Sequence, residues 1–147
     1  MDSYKGLKMS AQQKNEFSRI IEIEDSILEK NFNLHADAEE LKNLAKRFDV
    51  LKIKNLDLKY MIIKKDGLSN AYNLVAKLHS DVVKFSVEGV DEELNIDESF
   101  DVVLLDEETS KLNSELLEDS DIEIYDEEKK FDIGEIAAQY LSLCIFM

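Results

Sequence analysis

One cysteine, no proline, no tryptophan, two histidines and four glycines are spread over 147 residues. A lone Cys144 has no internal disulfide partner, so a reducing cytoplasm is the compartment the chain is expected to occupy. Structural zinc takes about four thiolate or imidazole ligands. Cys144, His35 and His79 are scattered, so neither a metal nor any other cofactor is expected. A nucleophilic Cys–His pair would need Cys144 beside one of the histidines. Both read instead as ordinary, partly buried histidines, and Cys144 as a small hydrophobe on the apolar face of a helix. The calcium-loop pattern D-x-[DN]-x-[DN]-G is missing, as are a glycine-rich clamp and an RNP-type aromatic motif. No apolar run approaches the ~20 residues that span a bilayer, and the opening MDSYKGLKMSAQQKNEFSR lacks the apolar core of a signal peptide. The ending Cys144-Ile145-Phe146-Met147 has the form of a C-a-a-X lipidation box. The residues before it are acidic rather than polybasic, so no membrane anchor is expected.

Positive charge is also scarce, with 18 Lys and Arg against 33 Asp and Glu for a net charge of -15. What there is of it is segregated. Between residues 42 and 65 stand Lys42, Lys46, Arg47, Lys52, Lys54, Lys59, Lys64 and Lys65, against only Asp49 and Asp57. Residues 106 to 128, DEETSKLNSELLEDSDIEIYDEE, hold eleven carboxylates and one lysine. A run of that kind repels itself and reads as a solvated acidic loop over about 106–129, with a brief strand at Ile122 and Ile124. An apolar share of 44% is ordinary for a folded chain, so the acidity does not imply disorder. One domain over residues 16–147 is expected, after a flexible tail at 1–15.

The period of the apolar residues gives the elements. Phe17 to Ile23 reads as a first strand, paired with Ile27 to Leu34. Asp37 and Glu40 have capping-box spacing, and Ala38, Leu41, Leu44, Ala45 and Phe48 form one helical stripe, which predicts a helix over 37–48. The period then drops to two at Leu56, Leu58, Tyr60 and Ile62. Lys65-Asp66-Gly67 supplies a turn. Tyr72 to Leu78 is a second strand, continued by Val82 to Val87 after a bulge near Ser80, and Phe100 to Leu105 a third. Asp132 and Glu135 repeat the capping-box spacing before a final apolar helix at 132–145. The expected class is therefore α+β: a curled antiparallel sheet with two packed helices.

Several blocks in the right order resemble the YceD family in its alphaproteobacterial form: Glu16-Phe17-Ser18-Arg19, ADAEELKNLAKRFDVL, VAKLHSDVVKFSVEGVDEELNIDESFDVVLLDEE and FDIGEIAAQYLSL. The resemblance covers roughly residues 16 to 143. It implies a role in ribosome biogenesis, since YceD proteins are linked to accumulation of 23S rRNA in the large subunit and their genes commonly stand beside that of a large-subunit ribosomal protein. It implies no enzyme and names no catalytic residues. Many members carry a cysteine, often Cys-x-x-Cys, on the strand that here reads Asp81 to Val87; this chain has Ser86 in that place.

Two contact modes follow for a non-catalytic bacterial assembly factor. Lys42, Lys46, Arg47, Lys52, Lys54, Lys59 and Lys64 are the candidates for meeting rRNA phosphates, although alternation alone would turn strand lysines outward. Asp106, Glu107, Glu108, Glu118, Asp119 and Asp121 are the candidates for binding a basic ribosomal or assembly protein. A general interaction module without a ribosomal role is the alternative. A hydrolase using carboxylates as acid and base is a more remote one, for which the sequence holds no motif.

Overall fold

The computed structural model describes residues 16–146, so the tail expected at 1–15 lies outside the described residues. The chain runs β1 (Ile20–Glu22), β2 (Phe32–His35), α1 (Ala38–Phe48), β3 (Lys52–Lys64), β4 (Ala71–Lys84), β5 (Glu92–Leu105), α2 (Glu107–Leu112), β6 (Ile122–Ile124), β7 (Lys130–Asp132) and α3 (Ile133–Phe146). A five-stranded sheet has the order β2-β3-β4-β5-β6, and β1 pairs with β7 in a two-stranded ribbon. The long pairs are antiparallel, and β6 joins β5 in parallel. The class is α+β with a sheet-dominated core, as the periodicities predict.

Strand alternation builds that core. Leu56, Leu58, Tyr60 and Ile62 on β3 face Leu74, Ala76 and Leu78 of β4 and Phe100, Val102 and Leu104 of β5 in one buried cluster. Both helices complete it, α1 through Leu44, Ala45 and Phe48 and α3 through Ile133, Ile136, Ala137, Leu141 and Ile145. The nearly all-apolar α3 is thus a helix of this chain's own core. Each fully buried leucine or isoleucine contributes about 1.5–3 kcal/mol.

The α1 cap matches its spacing: Asp37 accepts from Glu40 N at 2.8 Å, and Glu40 Oε1 accepts from Asp37 N at 2.9 Å. Asp49 ends the helix in the left-handed region, with Lys46 and Arg47 in the last turn.

Four expectations change. The first strand is Ile20–Glu22, and its partner is β7 rather than residues 27–34. Phe17 is fully buried at φ 81, outside the extended range, and β2 pairs instead with the middle of β3. Loose alternation over short segments says nothing about a partner so far along the chain. The bulge lies on β3, where the register shifts between Ile53 and Asn55. Ser80, beside it on β4 and opposite Leu56, is fully buried and donates to Asn55 O at 2.7 Å. β4 stops at Lys84, because residues 86–89 turn with Gly89 at φ +84. β5 starts at Glu92, eight residues before Phe100, since full pairing with β4 holds a stretch whose exposed face is acidic.

One junction ties the chain's two ends to α1. Asp132 accepts from Ser18 Oγ at 2.6 Å, Arg19 N at 2.8 Å and Glu135 N at 3.1 Å. Arg19 forks onto Glu40 at 2.6 and 2.8 Å, and Arg47 forks onto Glu135 at 2.8 and 2.7 Å. Glu40 is almost entirely buried, and the hydrogen bond from Arg19 holds its carboxyl below the usual range. Gly134 is required here, since a Cβ at that position would lie 1.9 Å from Phe17 O.

Candidate interaction surfaces

The seven basic candidates divide among several places. Lys42 and Lys46, one turn apart on α1, and Lys52 and Lys54, at the start of β3, rim one groove of ≈ 680 Å³. Apolar side chains from Leu41 to Ile53, with Phe85, make its floor. Arg47 is turned away into its fork with Glu135 and a 3.2 Å contact with Glu16, and these carboxylates hold its guanidinium's pKa up. Lys59 stands on the sheet face away from the helices, in register with Lys77. Lys64 is at the far end of β3 opposite Tyr72, whereas Lys52 is opposite Val83. At ~3.3 Å per residue the strand separates these two lysines by roughly 40 Å. A run that is continuous in sequence is therefore several surfaces in space.

The acidic segment is folded. Asp106 caps α2 by accepting from Thr109 N at 2.7 Å, and its hydrogen bonds to Thr109 hold its pKa down. Leu117, only 2% exposed, packs with Ala71, Val103 and Leu105 in a second small cluster on the outer side of the sheet. Asp121 accepts from the Tyr140 hydroxyl; burial, then this carboxylate, pushes the phenol's pKa up. Glu107, Glu108, Glu118 and Asp119 are exposed. Asp106, Glu107 and Glu108 line a cleft of ≈ 1130 Å³ together with Tyr125, Asp126, Glu127, Lys129 and Lys130. Lys129 is engaged there, its Nζ donating to Tyr72 Oη at 3.0 Å. Segment 106–129 thus replaces the expected solvated loop with a capped helix, a buried leucine anchor and the parallel strand β6.

Sequence reasoning missed a row across the outer sheet face. Register places His35, Asp57, His79 and Asp97 side by side on β2, β3, β4 and β5. His35 Nδ1 contacts Asp57, while His79 Nδ1 lies 2.9 Å from Asp97 Oδ1 and its Nε2 3.5 Å from Asp81 Oδ2. Asp97 first, helped by Asp81 and Asp57, holds the pKa of His79 above the ordinary histidine value. The His35 side chain is 69% exposed, so it is a surface residue rather than a partly buried one. Only the shared position parity of these residues hinted at the row, and parity acquires meaning once the register is known.

Among the described residues no group of three or more His, Cys, Asp or Glu is placed to hold a metal ion, and no helix is long and apolar enough to cross a membrane. Cys144 is half-buried in α3 beside the buried Ile145, and burial pushes its thiol pKa up. Protein-family models, curated proteins and solved structures contain no match to this chain.

Proposed function

We propose that this chain is a non-catalytic cytoplasmic ribosome-biogenesis factor, supporting 23S rRNA accumulation in the large subunit by capturing a basic ribosomal or assembly protein at its acidic end. One observation carries the mechanism: Glu107, Glu108 and Glu127 are presented at a single cleft by a segment that is capped and anchored. Carboxylates held on a folded support lose less freedom on binding than the same charges on a coil. Their common sign speeds encounter with a basic partner and rejects an acidic one. The ribosomal context comes from the YceD resemblance. Its supporting blocks at both ends of the domain converge on the Arg19–Glu40 and Arg47–Glu135 junction. Direct rRNA binding through the lysines has less support, because they occupy separate surfaces and the net charge of -15 opposes a polyanion.

Affinity purification from native cells, with and without ribonuclease, tests this reading. Large-subunit proteins should be recovered in both conditions, and a combined Glu107→Gln, Glu108→Gln and Glu127→Gln variant should retain about tenfold less of them, at ~0.2–1 kcal/mol per exposed charge. Loss on digestion would move the contact to RNA. Recovery of no ribosomal component in either condition would leave only a general interaction module.

A further inference from the structure

A second groove lies at the opposite end of the long strands from the acidic cleft. We propose that the groove between α1 and the paired ends of β3 and β4 docks an acidic amphipathic helix of a partner protein, its apolar side chains on the floor and its carboxylates against the lysine rim.

The floor is apolar and open to solvent: Leu51 is 44% exposed and Phe85 59% exposed, beside the half-buried Leu41. Such side chains gain about 25 cal/mol for each Å² removed from water, so a partner's apolar stripe is what the floor rewards. The rim is cationic on both walls. Lys42 and Lys46 line it from α1 and Lys52 and Lys54 from β3, the Lys54 ammonium reaching across β4 to Glu93. Lys42, Lys46 and Lys52 make no ion pair with any described residue, and Lys54 holds Glu93 at 2.8 Å. Asp49, the C-cap of α1, is the one carboxylate among the described residues that lines the groove. Both walls are rigid, because Leu44 and Phe48 root α1 in the core and β3 pairs with β4 along its length. A preformed groove keeps the ordering cost of binding low.

A simpler account assigns Lys52 and Lys54 to edge protection. β2 covers β3 only from Asp57, opposite His35, to Tyr60, opposite Phe32, which leaves the start of β3 an unpaired edge. Lysines and a bulge are the usual means of keeping such an edge from pairing with another chain. That account covers neither Lys42 and Lys46, which sit on a helix, nor the exposed floor between the walls. It does exclude an added strand as the occupant, since the bulge between Ile53 and Asn55 interrupts the edge. An amphipathic helix needs no backbone pairing and matches an apolar floor between charged walls. RNA fits less well. Phe85 is the one aromatic among the described lining residues, where stacked bases would need a platform, and the acidic molecule repels a long polyanion more than a short peptide.

The probe is a fluorescent amphipathic peptide about four helical turns long, with a leucine stripe flanked by glutamates. Its binding to the full chain is followed by anisotropy. Three competitors are the same peptide with Gln for Glu, the same with Lys for Glu, and a single-stranded RNA oligonucleotide. The acidic peptide should bind at least about tenfold more tightly than the Gln and Lys versions, and the RNA should not displace it. The double variant Lys42→Glu/Lys46→Glu should weaken it by about tenfold or more, and Phe85→Ser, also at an exposed position, by a similar factor. Lys59→Glu/Lys64→Glu makes the same change of net charge elsewhere and should alter binding less than about twofold. Circular dichroism of each variant separates loss of binding from loss of fold. No binding of the acidic peptide, equal binding of the Lys peptide, displacement by RNA, or equal losses from the two lysine pairs would each overturn the proposal. The Glu107, Glu108 and Glu127 variant should bind this peptide normally, so failure at one end of the molecule is distinguishable from failure at the other.

Discussion

The lysine groove and the acidic cleft sit at opposite ends of the long strands, and they are built in opposite ways. At the groove, charges stand on α1 and β3, elements rooted in the main core by Leu44, Phe48, Leu56 and Leu58. At the cleft, charges stand on a six-residue helix and a three-residue strand, held by a cap and by Leu117 in a satellite cluster. The first end can hold its geometry without a partner. The second is held by the Asp106 cap, the short β6 pairing, and the buried Leu117 and Tyr125, fewer apolar anchors than root α1 and β3, so its opening free energy lies nearer the low end of the molecule's range.

Breaking the junction between them should affect both ends together. Gly134→Ala sets a Cβ against a backbone oxygen that cannot swing aside, and should cost about 3 kcal/mol or more. In urea unfolding the midpoint should fall sharply, with protection lost at α1 and in segment 106–124 alike; an unchanged midpoint would show that the N-terminal strand is not clamped there. Leu117→Ala should separate the ends. Its expected cost of about 2 kcal/mol is local, so hydrogen exchange should quicken across α2 and β6 and stay unchanged in α1. Faster exchange in both regions would erase the contrast.

The smallest effect concerns the outer face that lies between the two ends. His79 has a folded pKa above its ordinary 6.5, with Asp97 as the main cause. Its charged form is therefore favoured by folding. The stability it contributes is fully present below the unfolded value and is lost as pH rises through the raised folded one. His79→Gln should flatten the dependence of the urea midpoint on pH across that window, with little change at higher pH. The exposure of the site makes the effect slight. An NMR titration giving His79 a pKa at or below 6.5 would remove its basis.

Local rules were legible in the residues themselves. The Asp37–Glu40 box, the stripe of α1, the switch to period two at Leu56 and the apolar α3 all depend on neighbours within four positions, and each appears where its spacing places it. The groove was half legible: its lysines stood out, while the apolar floor that unites four of them and the contacts that withdraw Arg47 did not. Leu117 was hidden, since Leu112, Leu116 and Leu117 among the carboxylates set no clear period and only Leu117 is buried.

By itself, then, the sequence determined element type, the inward face of each long strand and the two concentrations of charge, because all of these follow from side-chain spacing along a short piece of backbone. The tertiary structure alone decided the partner of β1, the bulge at Lys54, the His–Asp row and the division of the basic run. Those depend on register between segments distant in sequence. In a strand advancing ~3.3 Å per residue, neighbours in sequence soon become strangers in space.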